Sequence, residues 1–279
     1  RRERVLVCIP LRKNIAENIA RLDINTKFIT VFGNDLYGEK IKDHLNKLDI
    51  DVSDSLILEN EETSIYLSIL DSNGEMNVAI SSMEIFKKLK PEYLKARNKK
   101  IEGAEIIIVD TNLEKEAINY IMGYNTKTKI MLDTVSTKKS EKVKDIIGKF
   151  HTIKPNKIEA ELLSGIKINS DSDLDRAGKF FLEAGIKNIF ITLGSDGVYY
   201  INGSERKKLE KVDHSTFKVI KSPNYNLLAK DKKQYKLVLK GSDQESCAVE
   251  LAAAEESLPV LKNVFGKNFI LKFRKDVPK

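Results

Sequence analysis

This sequence predicts an α/β protein with a mostly parallel central sheet, and three observations carry the prediction. Short apolar runs of strand length alternate with amphipathic helical stretches over most of the chain, which is the rhythm of β-α units. Polar residues recur at the carboxyl ends of those runs, where open parallel sheets bind ligands. One stretch breaks the rhythm with two β runs around a turn signal, which predicts a small β lid. The expected division is an α/β core from residues 1–50 and 86–279, with a β-lid insertion over 51–85.

In chain order, "VLVCI" (5–9) reads as a buried strand, and "NIAENIARL" (14–22) as a helix with Ile15, Ile19 and Leu22 at helical spacing. "KFITVFG" (27–33) reads as one strand ending in Gly, and "DLYGEKIKDHLNKL" (35–48) as a helix with Leu36, Ile41 and Leu45 inward. In "TSIYLSILDSNGEMNVAIS" (63–81), "DSNG" (71–74) signals a hairpin, and Ser64, Tyr66 and Ser68 alternate with Ile65, Leu67 and Ile69. Such a hairpin is either a lid with a pairing surface or an edge of the main sheet. The β-α rhythm resumes with strands at 105–112 and 129–135 and helices at 113–122 and 141–150. A helix at 172–185 has an Asp/Ser-rich start and stops at Gly185. "NIFITLGSDGVYYING" (188–203) reads as strand, Gly-bounded turn and second strand. Periodicity fades over 206–244. A helix is expected over 245–258, followed by a basic, β-like end.

Composition narrows the class. With 41% hydrophobic and 32% charged residues in 279, the chain can bury a sizeable core and stay soluble. No apolar run approaches the roughly 18 residues that span a bilayer, and the apolar part of "RRERVLVCIP" is too short for a secretory signal, so a cytoplasmic protein is expected. Cys8 and Cys247 read as reduced thiols, and the three His lie too far apart for a zinc site. Residues 205–279 carry 17 Lys+Arg against 10 Asp+Glu, while residues 1–204 carry 31 of each, so the net +7 belongs to the tail. No aromatic-basic repeat accompanies that charge, and a nucleic-acid partner is not expected.

Four polar groups fall at strand ends: Asp110 in "IIIVDTN", Asp133 in "MLDTV", Asn156 with Glu159 after "HTIKP", and Thr192 with Gly194 and Gly197 in "ITLGSDG". Each has a local reading. Asn156 caps the following helix, with Glu159 near its positive end. Asn156 and Glu159 also share one helical face, from which they could hold a hydrated cation and its phosphate. The sequence leaves both readings open, but four such groups along successive strands point to a ligand crevice.

From Asn14 to Tyr200 the chain resembles the ribokinase-like (PfkB) carbohydrate and nucleoside kinases. The stretches "NIAENIARL", "FGNDLYGEKI", "ETSIYLSILDSNGEMNVAI", "HTIKPNKIEAELLSGI" and "ITLGSDGVYY" carry the resemblance. The hairpin stretch is most similar to the pseudouridine kinases of that family. The resemblance implies a three-layer α/β/α fold and transfer of the ATP γ-phosphoryl group to the 5′-hydroxyl of pseudouridine, with Mg²⁺ and a monovalent cation such as K⁺. The alternating faces of the hairpin leave an apolar side that a monomer would expose, which predicts a homodimer formed through the β lid. Alternatives are a sibling kinase acting on ribose, fructose or a purine nucleoside, and a non-catalytic nucleoside-sensing relative.

The resemblance implies roles residue by residue. Asn14 matches the Asn that binds the sugar after a di-glycine turn. Asn156 and Glu159 match the Asn-x-x-Glu motif tied to magnesium and phosphate. Thr192, Gly194 and Gly197 match the turn bordering the nucleotide. Asp133 lies where relatives carry an Asp near the phosphates, although Thr134 stands where Asp-Pro is common. Asp110 and Asn112 are the substrate-side candidates, Asn112 being either a reader of the nucleobase N–H or a cap on the next helix. Two departures stand out. "VLVCI" meets "RKNIAEN" after only "PL", without the expected sugar-binding Asp, and no Gly-Ala-Gly-Asp follows "YYING". The nearest string is "KGSDQES", which makes Asp243 the candidate catalytic base. The abrupt joins read as missing segments rather than as a degenerate relative.

Overall fold

The computed structural model describes residues 4–8, 13–22, 24–70, 76–124, 128–209, 234–241 and 268–275. The chain divides into two compact units, Arg1–Ala20 with Asn25–Val143, and Arg21–Ile24 with Lys144–Lys279. The expected helix at 245–258 and Asp243 lie outside the described residues.

In the first unit, β1 (Arg4–Cys8) is followed by α1 (Lys13–Arg21) and β2 (Asn25–Ile29), which pairs parallel with β1. The run expected as one strand over 27–33 is two. At Thr30 the backbone turns to a new partner: its N–H donates to Ser55 Oγ at 3.2 Å and its carbonyl accepts from Leu56 N–H at 2.8 Å. Beyond it, β3 (Val31–Gly33) precedes α2 (Leu36–Lys47) and pairs parallel with β4 (Leu56–Leu58). An unbroken apolar run cannot reveal a change of partner, so the break was invisible in sequence.

Next come β5 (Ile65–Leu70) and β6 (Met76–Ser82), which pair antiparallel in a two-stranded sheet of their own. The edge-hairpin alternative is therefore not what is seen. Two short helices, α3 (Pro91–Lys95) and α4 (Asn98–Glu102), lead to β7 (Ile106–Asp110), α5 (Lys115–Tyr124), β8 (Lys129–Asp133) and α6 (Thr137–Ser140). Every residue of β7 is buried, and it pairs parallel with β1 and with β8. Its continuous apolar run suits a strand covered on both faces. The helix expected over 141–150 is a 3₁₀ segment, Glu141–Lys149, continuing from α6 and burying Val143, Ile146 and Ile147.

The second unit opens with β9 (Thr152–Lys154) and α7 (Lys157–Ser164), then α8 (Asp171–Glu183). Ser170 caps α8 by accepting from Asp173 N–H at 3.3 Å, and Leu174, Ala177, Gly178 and Phe181 form its buried stripe at helical spacing. β10 (Asn188–Thr192) pairs parallel with β9, and β11 (Val198–Asn202) and β12 (Arg206–Leu209) extend it antiparallel. β13 (Gln234–Gly241) and β14 (Asn268–Lys275) form a separate parallel pair.

One charge cluster ties the first unit together. The buried Asp54 carboxylate bonds Lys27 and, at 2.7 Å, Lys100, while its backbone carbonyl accepts from Arg97 Nε at 2.9 Å and the Tyr93 hydroxyl at 3.1 Å. Lys27 also pairs with Asp51 at 2.7 Å. Burial alone would raise both carboxyls. Hydrogen bonds outweigh it, from Lys100 and Lys27 at Asp54 and from Lys27 and Ser53 at Asp51, so both titrate below the ordinary range, Asp51 at about 2. Groups with depressed folded-state pKa values stabilise the fold fully above about pH 4 and lose that contribution as pH falls toward 2. Asp54→Ala removes one of the two carboxylates on Lys27, which keeps Asp51, and the partner of the half-exposed Lys100, and should lower stability at neutral pH by about 1–2 kcal/mol. In urea unfolding, its further loss between pH 5 and pH 2 should be smaller than that of the wild type. An equal acid loss would refute the assignment.

Candidate active site

The first group of site residues forms where β7 and β8 end together, with Asp110 in register with Asp133. A buried strand that must stop at a turn brings its first polar residues inside with it. Asp110 is fully buried, and its Oδ1 accepts from Asn112 N–H at 2.8 Å. Thr111 N–H donates to the Asp133 carbonyl at 3.2 Å, and the Thr111 hydroxyl to the Thr134 carbonyl at 2.5 Å. The Thr134 carbonyl also accepts from Ser140 Oγ at 3.1 Å and from Ser136 N–H at 2.6 Å. That last bond closes a three-residue turn around Val135, whose φ is +59°. A β-branched residue in that region costs about 1–3 kcal/mol and is held only where the surroundings over-determine it. Three donors on one carbonyl supply that determination.

Sequence reasoning missed Lys139. Its Nζ donates to Asn112 Oδ1 at 2.5 Å and lies 3.6 Å from Met83 Sδ. An ammonium only donates, so it fixes the Asn112 amide with oxygen toward Lys139 and nitrogen away. Asn112 is 7% exposed and its Nδ2 has no hydrogen-bond partner among the described residues. The sequence leaves Asn112 as either a reader of an N–H, acting as an acceptor, or a cap on the next helix. Its oxygen is already engaged, and the group it has to spare is a donor. Leaving a buried donor unmet costs about 1–3 kcal/mol, so an acceptor atom brought to this place would gain from it. No local signal marks Lys139 among the 48 basic residues.

The second group lies in the second unit. Asn156 and Glu159 form a reciprocal cap at the start of α7: Asn156 Oδ1 accepts from Glu159 N–H at 2.9 Å, and Glu159 Oε2 accepts from Asn156 N–H at 2.8 Å. The capping reading of the sequence is therefore realised, and it engages Asn156 Oδ1 and Glu159 Oε2. Glu159 is 3% exposed. The adjoining backbone pairs Asn156 with Thr192, whose N–H donates to the Pro155 carbonyl at 2.9 Å. The turn after Thr192 needs φ of +65° at Gly194 and +84° at Gly197, which side-chain-bearing residues rarely adopt. Asn14 is exposed on the first turn of α1. Among the described residues no group of three or more His, Cys, Asp or Glu could hold a metal ion. One carboxylate and one amide fit a Mg²⁺ carried mostly by phosphate and water, not one caged by protein.

Residues 12–219 match the pfkB family carbohydrate kinases. The pseudouridine kinase of Escherichia coli (strain K12) is 37% identical over 188 residues, 67% of this chain and 60% of that protein. Among solved structures, a Clostridium perfringens protein described as a sugar kinase matches with a TM-score of 0.67 at 33% identity, over 76% of this chain and 77% of that one. Arabidopsis thaliana ribokinase complexed with ribose and ATP matches with a TM-score of 0.67 at 16% identity, over 95% and 87% of the two chains, a likeness of fold alone. The fold is thus ribokinase-like, an α/β/α arrangement with a mostly parallel central sheet. The chain spans between 52% and 64% of the length of three curated relatives that it matches.

Glutamine can keep the cap that alanine cannot. Glu159→Ala should cost about 1 kcal/mol in thermal or urea unfolding, with Glu159→Gln close to the wild type. Equal losses in the two variants would show that more than the cap holds Glu159.

Proposed function

Because the chain belongs to the pfkB family of carbohydrate kinases, we propose that it transfers the γ-phosphoryl group of ATP to the 5′-hydroxyl of pseudouridine in the cytoplasm. The observation that carries this reading is the family match over 12–219, which contains every described candidate residue. The 37% identity to a pseudouridine kinase supports the choice of acceptor.

In this reading Asp110 binds acceptor hydroxyls as a buried carboxylate, and the Asn112 amide nitrogen donates to an acceptor oxygen. Asn14 contributes to the sugar. Thr192, Gly194 and Gly197 border the nucleotide, with Asp133 on the phosphate side. Asn156 and Glu159 hold Mg²⁺ through its water shell. The ion, when bound with ATP, neutralises charge on the transferring group. Positioning the hydroxyl in line with that group supplies most of the remaining acceleration. Asp243 keeps the role of base only by resemblance. The separate β5–β6 sheet supports a lid that covers the nucleoside and pairs with a second copy.

Purified chain with ATP, Mg²⁺ and K⁺ should phosphorylate pseudouridine in preference to uridine, ribose and fructose, measured by ADP release and product mass. Light scattering should give twice the chain mass. Activity confined to ribose, which the ribokinase likeness of fold keeps as the second reading, would overturn the acceptor. Nucleoside binding without turnover would leave a sensing protein.

A further inference from the structure

We propose that Asp35 and Thr63 form a positioning clip that sets where the hairpin β5–β6 stands on its unit and, through it, how well the acceptor is held. The proposal rests on the lid reading given above and adds the residues that control it.

Asp35 caps α2, with Oδ1 accepting from Gly38 N–H at 2.7 Å. A cap needs only one carboxylate oxygen. Here Oδ2 accepts from Thr63 N–H at 2.6 Å, and Oδ1 also accepts from the Thr63 hydroxyl at 2.8 Å. The Thr63 oxygen in turn accepts from Gly33 N–H at 3.0 Å. Thr63 is 3% exposed and stands two residues before β5. The approach is close: a Cβ on Gly33 would run into the backbone of Glu61, Glu62 and Thr63. Partial burial pushes the Asp35 carboxyl up, but the Gly38 and Thr63 donors outweigh it and hold it below the usual range. The carboxylate thus keeps its charge, and charge-assisted bonds are the strong ones.

The clip matters because no other described strand pairs with β5 or β6. Among the described residues, sheet hydrogen bonds therefore do not fix the hairpin to the rest of its unit. On its far side the chain leaves β6 at Met83, which packs against Val31, Ile85 and Phe86. Met83 Sδ meets Lys139, and Lys139 orients Asn112. A shift of the hairpin thereby reaches the acceptor-side cluster through two named contacts.

Thr63→Val tests the clip in the full chain, because it keeps the size and the backbone bond while removing the hydroxyl. The α2 cap is left intact. Hydrogen exchange in 65–70 and 76–82 should quicken about tenfold with exchange in α2 unchanged. The KM for pseudouridine should rise about tenfold with the KM for ATP unchanged, and Thr63→Ser should restore both. Unchanged hairpin exchange, or exchange quickened equally throughout the chain, would overturn the clip. KM values rising together for both substrates would overturn its link to the acceptor. The exchange measurement needs no substrate, so it stands if pseudouridine is the wrong acceptor. The kinetic comparison is then made with whichever acceptor is turned over.

Discussion

The burial of β7 between two parallel neighbours is the constraint from which the first unit follows. A strand covered on both faces must be apolar along its length, and β7 is so until Asp110. Its pairing with β1 and β8 fixes where each strand stops, and the stopping points bring Asp110 and Asp133 level. The carboxylates are thus inside because the sheet ends there. Nearby donors, such as Asn112 N–H on Asp110, make that burial tolerable.

Two unfavourable features gather at the same place. Val135 takes a backbone conformation that suits its side chain badly, and Asn112 holds a buried donor that no atom of the described residues meets. Either alone could be an accident of packing. Both lie within a few residues of the paired strand ends, which is the ground for placing the candidate site there. Lys139 fixes the direction of the Asn112 amide there. In the second unit, the Asn156–Glu159 cap does similar work by holding a carboxylate in one rotamer at a helix start.

The β-α rhythm was legible because strand and helix periods differ and most elements are long enough to show them. The break at Thr30, the three-residue β4 and the short helices between 84 and 102 were not, since each depends on a partner far along the chain. Asp110 and Asp133 could be found because they end apolar runs, and Asn156 with Glu159 because the cap has a spacing of its own. Lys139 and the Asp35–Thr63 contact could not. A lysine in a lysine-rich chain carries no local mark, and a bond spanning 28 residues exists only once the fold has formed.

Magnesium-dependent nucleotide binding is where a kinase reading of this chain is most exposed. Calorimetric titration of ATP, with and without Mg²⁺, into the wild type and Glu159→Gln would measure it. If Glu159 holds the hydrated ion, Mg²⁺ should tighten ATP binding to the wild type by about tenfold or more, equivalent to about 1.4 kcal/mol. The capped but uncharged variant should lose most of that gain while unfolding at the same temperature. Absence of ATP binding, or an equal gain from Mg²⁺ in both proteins, would contradict it.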